Sequence, residues 1–324
     1  MHPAFSVIFL TTLIGAGQGL FLALVTAEAF SHMGALASQE HRFYGNGSLL
    51  SLGLLIAGLI ASFFHLGHPE RAWRSAAMWR TSWLSREVIA LPAFMAVVFI
   101  YGLLHYLEWN PKVFGSAALP ETNLTLMVGI VGIVLCFTLF ICTGMIYACL
   151  KFLQEWHTPL TPVNYTLLGM SSGFTLATAF ATQYSLALTG LFGTWAIILT
   201  FAALLTRTAS LLRNQRIKYH STLRTAIGVR HNNIQQKSQG SMGGSFNTRE
   251  YFHGMSTVFF KSVKWIFLLL VFPLPLLLLG MGLSNGASGL LVLAFAVQYA
   301  GLIAERWFFF AQANHPQNLY YQTI

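Results

Sequence analysis

The sequence predicts an all-α integral membrane protein, a bundle of about eight transmembrane helices with both termini in the cytoplasm. Three observations carry that expectation. Of the 324 residues 55% are hydrophobic, 14% aromatic and only 8% charged, and a mean hydropathy of +0.62 lies far above that of a soluble domain. Apolar runs of roughly 20 residues, the length that crosses a ~30 Å hydrocarbon core, recur along nearly the whole chain. The charged residues gather between those runs. The runs are much longer than the ~10-residue strands of a membrane barrel, and a lipid-embedded backbone must satisfy its own polar groups, so each run is expected to be a helix.

Eight runs are expected, at 4–29, 48–66, 88–107, 122–150, 165–186, 188–206, 264–283 and 288–310. The first has no Lys or Arg before it and no small-residue cleavage signal after it, so it is expected to be retained as a helix. The second closes on "HLGHP", with His65 in its last turn and Gly67 and Pro69 ending it. From Arg71 onward, Ala72, Ala76, Trp79 and Trp83 recur at helical spacing, as in a short helix lying in the membrane interface over 67–87. Glu87 opens the third run. The fourth contains all three cysteines, Cys136, Cys142 and Cys149, read as buried apolar residues with no metal site. Runs five and six are separated by a single residue and lead into a basic loop, 207–263, with the Gly/Ser-rich "SQGSMGGSFNTREYFHG". The seventh contains "FPLPLLLLG", in which Pro273 and Pro275 predict a tolerated kink. The eighth runs into "ERWFFFAQANHPQNLYY".

Charge sets the orientation. With eight spans, 16 of the 18 Lys and Arg residues fall on the side of the termini, leaving Arg42 and Lys112 on the other. Cytoplasmic loops carry that excess, which places the termini and the 67–87 and 207–263 segments in the cytoplasm. The net charge of +9 is therefore mostly a topogenic signal, and nucleic acid is not an expected partner.

The stretch "HLGHPERAWRSAAMWRTSWLSRE" holds six charged residues, two histidines and three tryptophans. Tryptophan and arginine favour the headgroup region, so interfacial anchoring is one reading. Glu87 points to another, because a carboxylate where the hydrocarbon begins is costly unless it is paired or protonated. Quinone reduction consumes two electrons and two protons, and it calls for proton-exchanging groups at membrane depth connected to water. His65 and Glu87 supply such groups as general acid and base, with arginines nearby to hold charge. Simple anchoring and a transport site stay open beside that reading. Glu28 near the outer end of the first run is a further intramembrane candidate. A b-type haem is not expected, since the histidines divide between the two faces, with His65, His68 and His157 on one and His32, His41 and His105 on the other.

At these residues the chain shows a likeness. "HLGHPERAWRS" with "SWLSRE", "MIYACLKFLQEWHTPLTPVNYTLLG", "SQGSMGGSFNTREYFHG" and "ERWFFFAQANHPQNLYY" resemble the membrane anchor subunit of the dimethyl sulfoxide reductase family, over essentially the whole chain. Within the family the chain is most similar to anchors of cytoplasmic, quinone-linked sulfite dehydrogenases. The resemblance implies an inner-membrane anchor for a molybdenum-containing catalytic subunit and an iron-sulfur subunit. Electrons would pass between the partners' clusters and a quinone, ubiquinone in preference to menaquinone. It also implies a quinone site at His65, Gly67, Arg71 and Glu87, to which the sequence adds Arg86. The tail from Glu305 to Tyr321 resembles a family signature, compatible with docking of the iron-sulfur subunit or with packing on the 67–87 loop. The charge asymmetry favours a cytoplasmic catalytic partner, hence sulfite oxidation. A related complex oxidising quinol, or a non-redox tether or transporter, is the alternative.

Overall fold

The computed structural model describes residues 1–116, 119–231, 233–234 and 251–319. Long helices dominate. They are α1 (Phe5–His32), α2 (His41–Phe63), α3 (Trp83–Tyr106), α4 (Leu124–Ala148), α5 (Leu160–Ala181) and α6 (Leu186–Gln215). A one-turn helix, α7 (Leu223–Ile227), is followed by α8 (Thr257–Val271), α9 (Pro273–Asn285) and α10 (Ser288–Ala311). The strands β1 (Lys112–Ser116) and β2 (Leu119–Asn123) pair antiparallel between α3 and α4.

Among the described residues seven helices are long and apolar enough to cross a membrane, with α8 and α9 counted as one 29-residue unit. That unit breaks at Phe272, the residue before Pro273, where proline's missing N–H and its ring disrupt the helical ladder. The expected kink is there. Helix α5 is also long, 22 residues or about 33 Å, yet Asn164, Ser171, Ser172, Thr175 and Thr178 keep it outside the apolar set. Those polar residues are buried. A helix enclosed by α1, α4, α6 and α10 does not need an apolar surface toward lipid.

Helix α1 is the centre of the bundle and the most deeply covered of the spans. It meets α5 through glycines: a Cβ on Gly173 would lie 2.3 Å from the Gly19 backbone, and one on Gly19 would lie 2.5 Å from the Gly169 carbonyl oxygen. Gly15 and Gly19 face Gly169 and Gly173, a small-residue spacing of four that lets two backbones touch.

Several boundaries depart from the expected runs. Helix α2 begins at His41, and α6 continues to Gln215, so Arg207 is not part of the basic loop but a fully buried helical residue. Lys261 likewise belongs to α8. Helix α2 stops at Phe63, which leaves His65 just beyond it, not in its last turn, and Gly67 outside the left-handed region that would mark it as a cap. Residues Pro69–Met78 form a 3-10 helix with Ala72 and Ala76 turned inward and Trp73 and Trp79 exposed, while Trp83 opens α3 behind the Ser82 cap. Most of the Gly/Ser-rich segment lies outside the described residues, as do Tyr320 and Tyr321.

One end of the bundle gathers the start of α1, the 149–159 connection, the end of α6 and the tail. The Met1 amino group donates to the Ala313 carbonyl at 2.8 Å, Arg213 Nη1 to Gln154 O at 2.9 Å, and Tyr219 Oη to Glu155 at 2.7 Å. Asn314 N also donates to Glu155, and His315 stacks on Tyr251 with ring centroids 3.8 Å apart. The tail thus packs on the 149–159 connection and Tyr251, a different place from the expected 67–87 loop.

Candidate functional site

Glu87 opens the second turn of α3, where it accepts a hydrogen bond from the Thr143 hydroxyl of α4. Beyond it lies a cavity lined by polar groups from four helices: Thr11, Thr12 and Gln18 of α1, Thr143 of α4, Tyr165 and Ser172 of α5, and Arg306 of α10. The cavity is narrow, about 30 Å³. Gln18 is fixed there, its Nε2 donating to Cys136 O at 2.9 Å. Single waters fit; a ring-sized ligand has to widen the cavity by moving Phe140, Leu168 or Leu302.

Another part of the cavity lining is built on a buried charge cluster. Glu305 lies between two arginines, with Arg207 Nε at 2.7 Å from one carboxylate oxygen and Arg306 Nε at 2.5 Å from the other. The Arg207 N–H is not aimed at its oxygen, so that contact is an ion pair without an aligned hydrogen bond. All three residues are at most 3% exposed. The Arg306 guanidinium lies flat over the Tyr165 ring at 3.9 Å. Its Nη1 has no hydrogen-bond partner among the described residues, and the Tyr165 hydroxyl, close to Arg306 and Tyr147, makes no well-aligned bond with either. A polar layer of Gln298, Ser171 and Thr200 adjoins the cluster, Gln298 Nε2 donating to Ser171 Oγ at 2.8 Å.

The residues expected at the site do not all converge. His65, Gly67 and Arg71 are exposed on the connection between α2 and α3, where Arg71 Nε lies 3.7 Å from Glu70 and His68 Nδ1 lies 3.0 Å from it. Partial burial lowers the His65 pKa below its ordinary value, which keeps the imidazole neutral near pH 7. Arg86 turns back onto the loop: its Nε donates to Trp79 O at 2.9 Å, its Nη2 to Arg80 O at 2.8 Å, and it stacks on Trp83 at 4.2 Å. It is a clasp between loop and helix. Only Glu87 of the five lines the interior cavity.

Arg306, Tyr165, Thr143 and Gln18 were absent from the sequence-based site. The available signal was the adjacent pair Glu305–Arg306 inside an apolar run, costly in lipid unless paired. Their approach to Glu87 across the bundle is tertiary and has no local mark.

A second carboxylate cluster lies at the opposite end. Glu28 of α1 accepts hydrogen bonds from Tyr101 Oη at 2.7 Å and from the Thr125 hydroxyl, and His105 Nε2 lies 3.6 Å away. His105 is stacked on Tyr44, and its Nδ1 meets His41 Nδ1 at 3.4 Å. Glu28 and His105 are 4% and 2% exposed, so Glu28 is an interior residue.

The description "DMSO reductase anchor subunit (DmsC)" matches residues 1–312 of the chain. A sulfite dehydrogenase subunit of Allochromatium vinosum is 57% identical over 324 residues, covering all of both chains.

Proposed function

The chain belongs to the DMSO reductase anchor subunit family, and from that premise we propose that it is the quinone-binding anchor of a sulfite-oxidising molybdoenzyme complex. The family role entails a catalytic subunit and an iron-sulfur subunit as partners at the membrane. In the proposed reaction sulfite and water give sulfate, two electrons and two protons in the catalytic partner, and the electrons reach this chain's ligand through iron-sulfur clusters. A quinone bound here would accept two electrons and two protons and leave as a quinol. Eight crossings are proposed, α5 being the eighth, with the ends of the chain and both partners on the cytoplasmic side of the inner membrane. Adjacent placement of the start of α1 and the tail supports an even number, and the distribution of basic residues supports the side.

The observation that carries the ligand is the cavity at Glu87. It offers a carboxyl group together with donors of Arg306 and Tyr165 that lack well-aligned protein partners, groups that suit the oxygens of a quinone ring. Glu87, held by Thr143, is the group positioned to exchange a proton there. His65, neutral and exposed on the neighbouring loop, is placed to take protons from water and pass them on. Gly67 leaves open space at the loop, since a Cβ there would meet nothing within 4 Å, and Arg71 adds positive charge to the same surface. The molybdenum cofactor and clusters belong to the partners in this reading.

The test is sulfite-dependent reduction of a soluble quinone analogue by the complex purified through a tag on this chain. Reduction that a quinone-site inhibitor abolishes is the expected result. No reduction, with both soluble partners still copurifying, would assign the anchor to another reaction of the family.

A further inference from the structure

We propose that Arg306 and Tyr165 form part of the ligand site's wall, donating hydrogen bonds to a ring oxygen that Glu87 does not hold. This rests on the cavity at Glu87 being the quinone site. Charge balance is the first argument. Arg207 already supplies one positive charge against the single negative charge of Glu305, within 2.7 Å. Arg306 is a second positive charge, 3% exposed, for which the cluster offers no further carboxylate. Burying a surplus cation is strongly unfavourable unless something answers its charge. The acid that shares its cavity is Glu87.

Unmet hydrogen bonding is the second argument. Arg306 uses Nε on Glu305, while Nη1 has no partner and the Tyr165 hydroxyl, beside Arg306 and Tyr147, has no well-aligned one among the described residues. Buried donors rarely stay so without a water or a ligand to receive them. Both belong to side chains that line the cavity, and the guanidinium plane is held by its stack on the Tyr165 ring. A fixed fork of donors beside a hydroxyl is suited to an acceptor oxygen, above all one that gains electron density on reduction. Glu87 exchanges a proton at one ligand oxygen, and Arg306 with Tyr165 positions the other.

The experiment titrates a fluorescent hydroxyaryl quinol analogue into the purified complex carrying wild type, Glu87→Gln, Tyr165→Phe or Arg306→Lys, reading the dissociation constant and partner retention. Tyr165→Phe removes a hydroxyl that makes no well-aligned protein hydrogen bond but neighbours Arg306 and Tyr147, so the thermal midpoint of the unliganded complex is read alongside and should change little. A several-fold weaker dissociation constant therefore reports the ligand directly. Arg306→Lys keeps the charge but loses the planar fork, and a tenfold or greater weakening is expected. Binding within twofold of wild type in both variants, with partners retained, would overturn the proposal while leaving Glu87's role standing. If Arg306→Lys fails to assemble, Tyr165→Phe alone decides. Failure of the wild-type complex to bind the analogue would instead remove the quinone reading itself.

Discussion

Glu28 and Glu87 are both carboxylates on apolar helices, at opposite ends of the bundle, and their surroundings differ in kind. Glu28 takes hydrogen bonds from α3 and from α4, has His105 beside it, and sits under a stack of Tyr44 on that histidine, so four helices meet on one side chain. Both acids border a cavity, a wide one for Glu28 and a narrow one for Glu87, but Glu87 has a single hydroxyl partner and shares its cavity with Arg306. A carboxylate whose hydrogen bonds are taken up by the fold works as a fastener. One left with spare capacity beside unpartnered donors is available to a ligand. The contrast teaches that burial alone does not identify a functional acid; the state of its remaining hydrogen bonds does.

The comparison can be broken most forcefully at Glu28. Glu28→Ala leaves Tyr101, Thr125 and His105 without their shared acceptor, and a loss of about 3–5 kcal/mol is expected, as when one member of a buried ionic set is removed. The yield of monodisperse chain and its thermal midpoint in detergent check this. Gly173→Ala comes next. Its methyl group would meet the Gly19 backbone at 2.3 Å, between the two regions on α1, so about 1–3 kcal/mol of overpacking should disturb both together.

Smaller changes sharpen the contrast. Tyr101→Phe removes a donor from a carboxylate whose hydrogen bonds the fold supplies and should cost about 1–3 kcal/mol. Thr143→Val removes Glu87's donor, yet Glu87 can turn to water in its cavity, so the thermal midpoint should move less while analogue binding weakens. Equal losses of stability in the two variants would erase the distinction. The smallest effect concerns pH. The folded chain holds His65 below its ordinary pKa, so the unfolded chain binds a proton near pH 6.5 that the folded chain does not, and stability falls as pH drops through that range. In His65→Gln the difference in thermal midpoint between pH 7.5 and 5.5 should shrink.

Much of this fold was legible in the sequence because lipid imposes length and hydropathy on each surface helix. Helix α5 shows the limit of that rule: enclosed by other helices, it carries Ser and Thr freely, and its presence followed from length more than from apolarity. The end of α6 was hidden for a related reason. Arg207 reads as the start of a loop until Glu305, 98 residues later, neutralises it inside the bundle. At the site, Glu87 was legible as an acid at a costly depth. His65, Gly67 and Arg71 were legible as a cluster by proximity along the chain, but the structure leaves them on the exposed connection. Arg306 and Tyr165 reach Glu87's cavity from α10 and α5, a convergence that no local pattern encodes.

The most direct measurement pairs Glu87→Gln with Glu28→Gln in the purified complex, reading analogue affinity and thermal midpoint on the same samples. The expected result is a crossover, with Glu87→Gln losing tenfold or more in affinity at an unchanged midpoint and Glu28→Gln losing stability while the surviving complex binds as wild type. If Glu87→Gln binds the analogue normally and lowers the midpoint as Glu28→Gln does, both carboxylates are fasteners and the ligand site lies elsewhere.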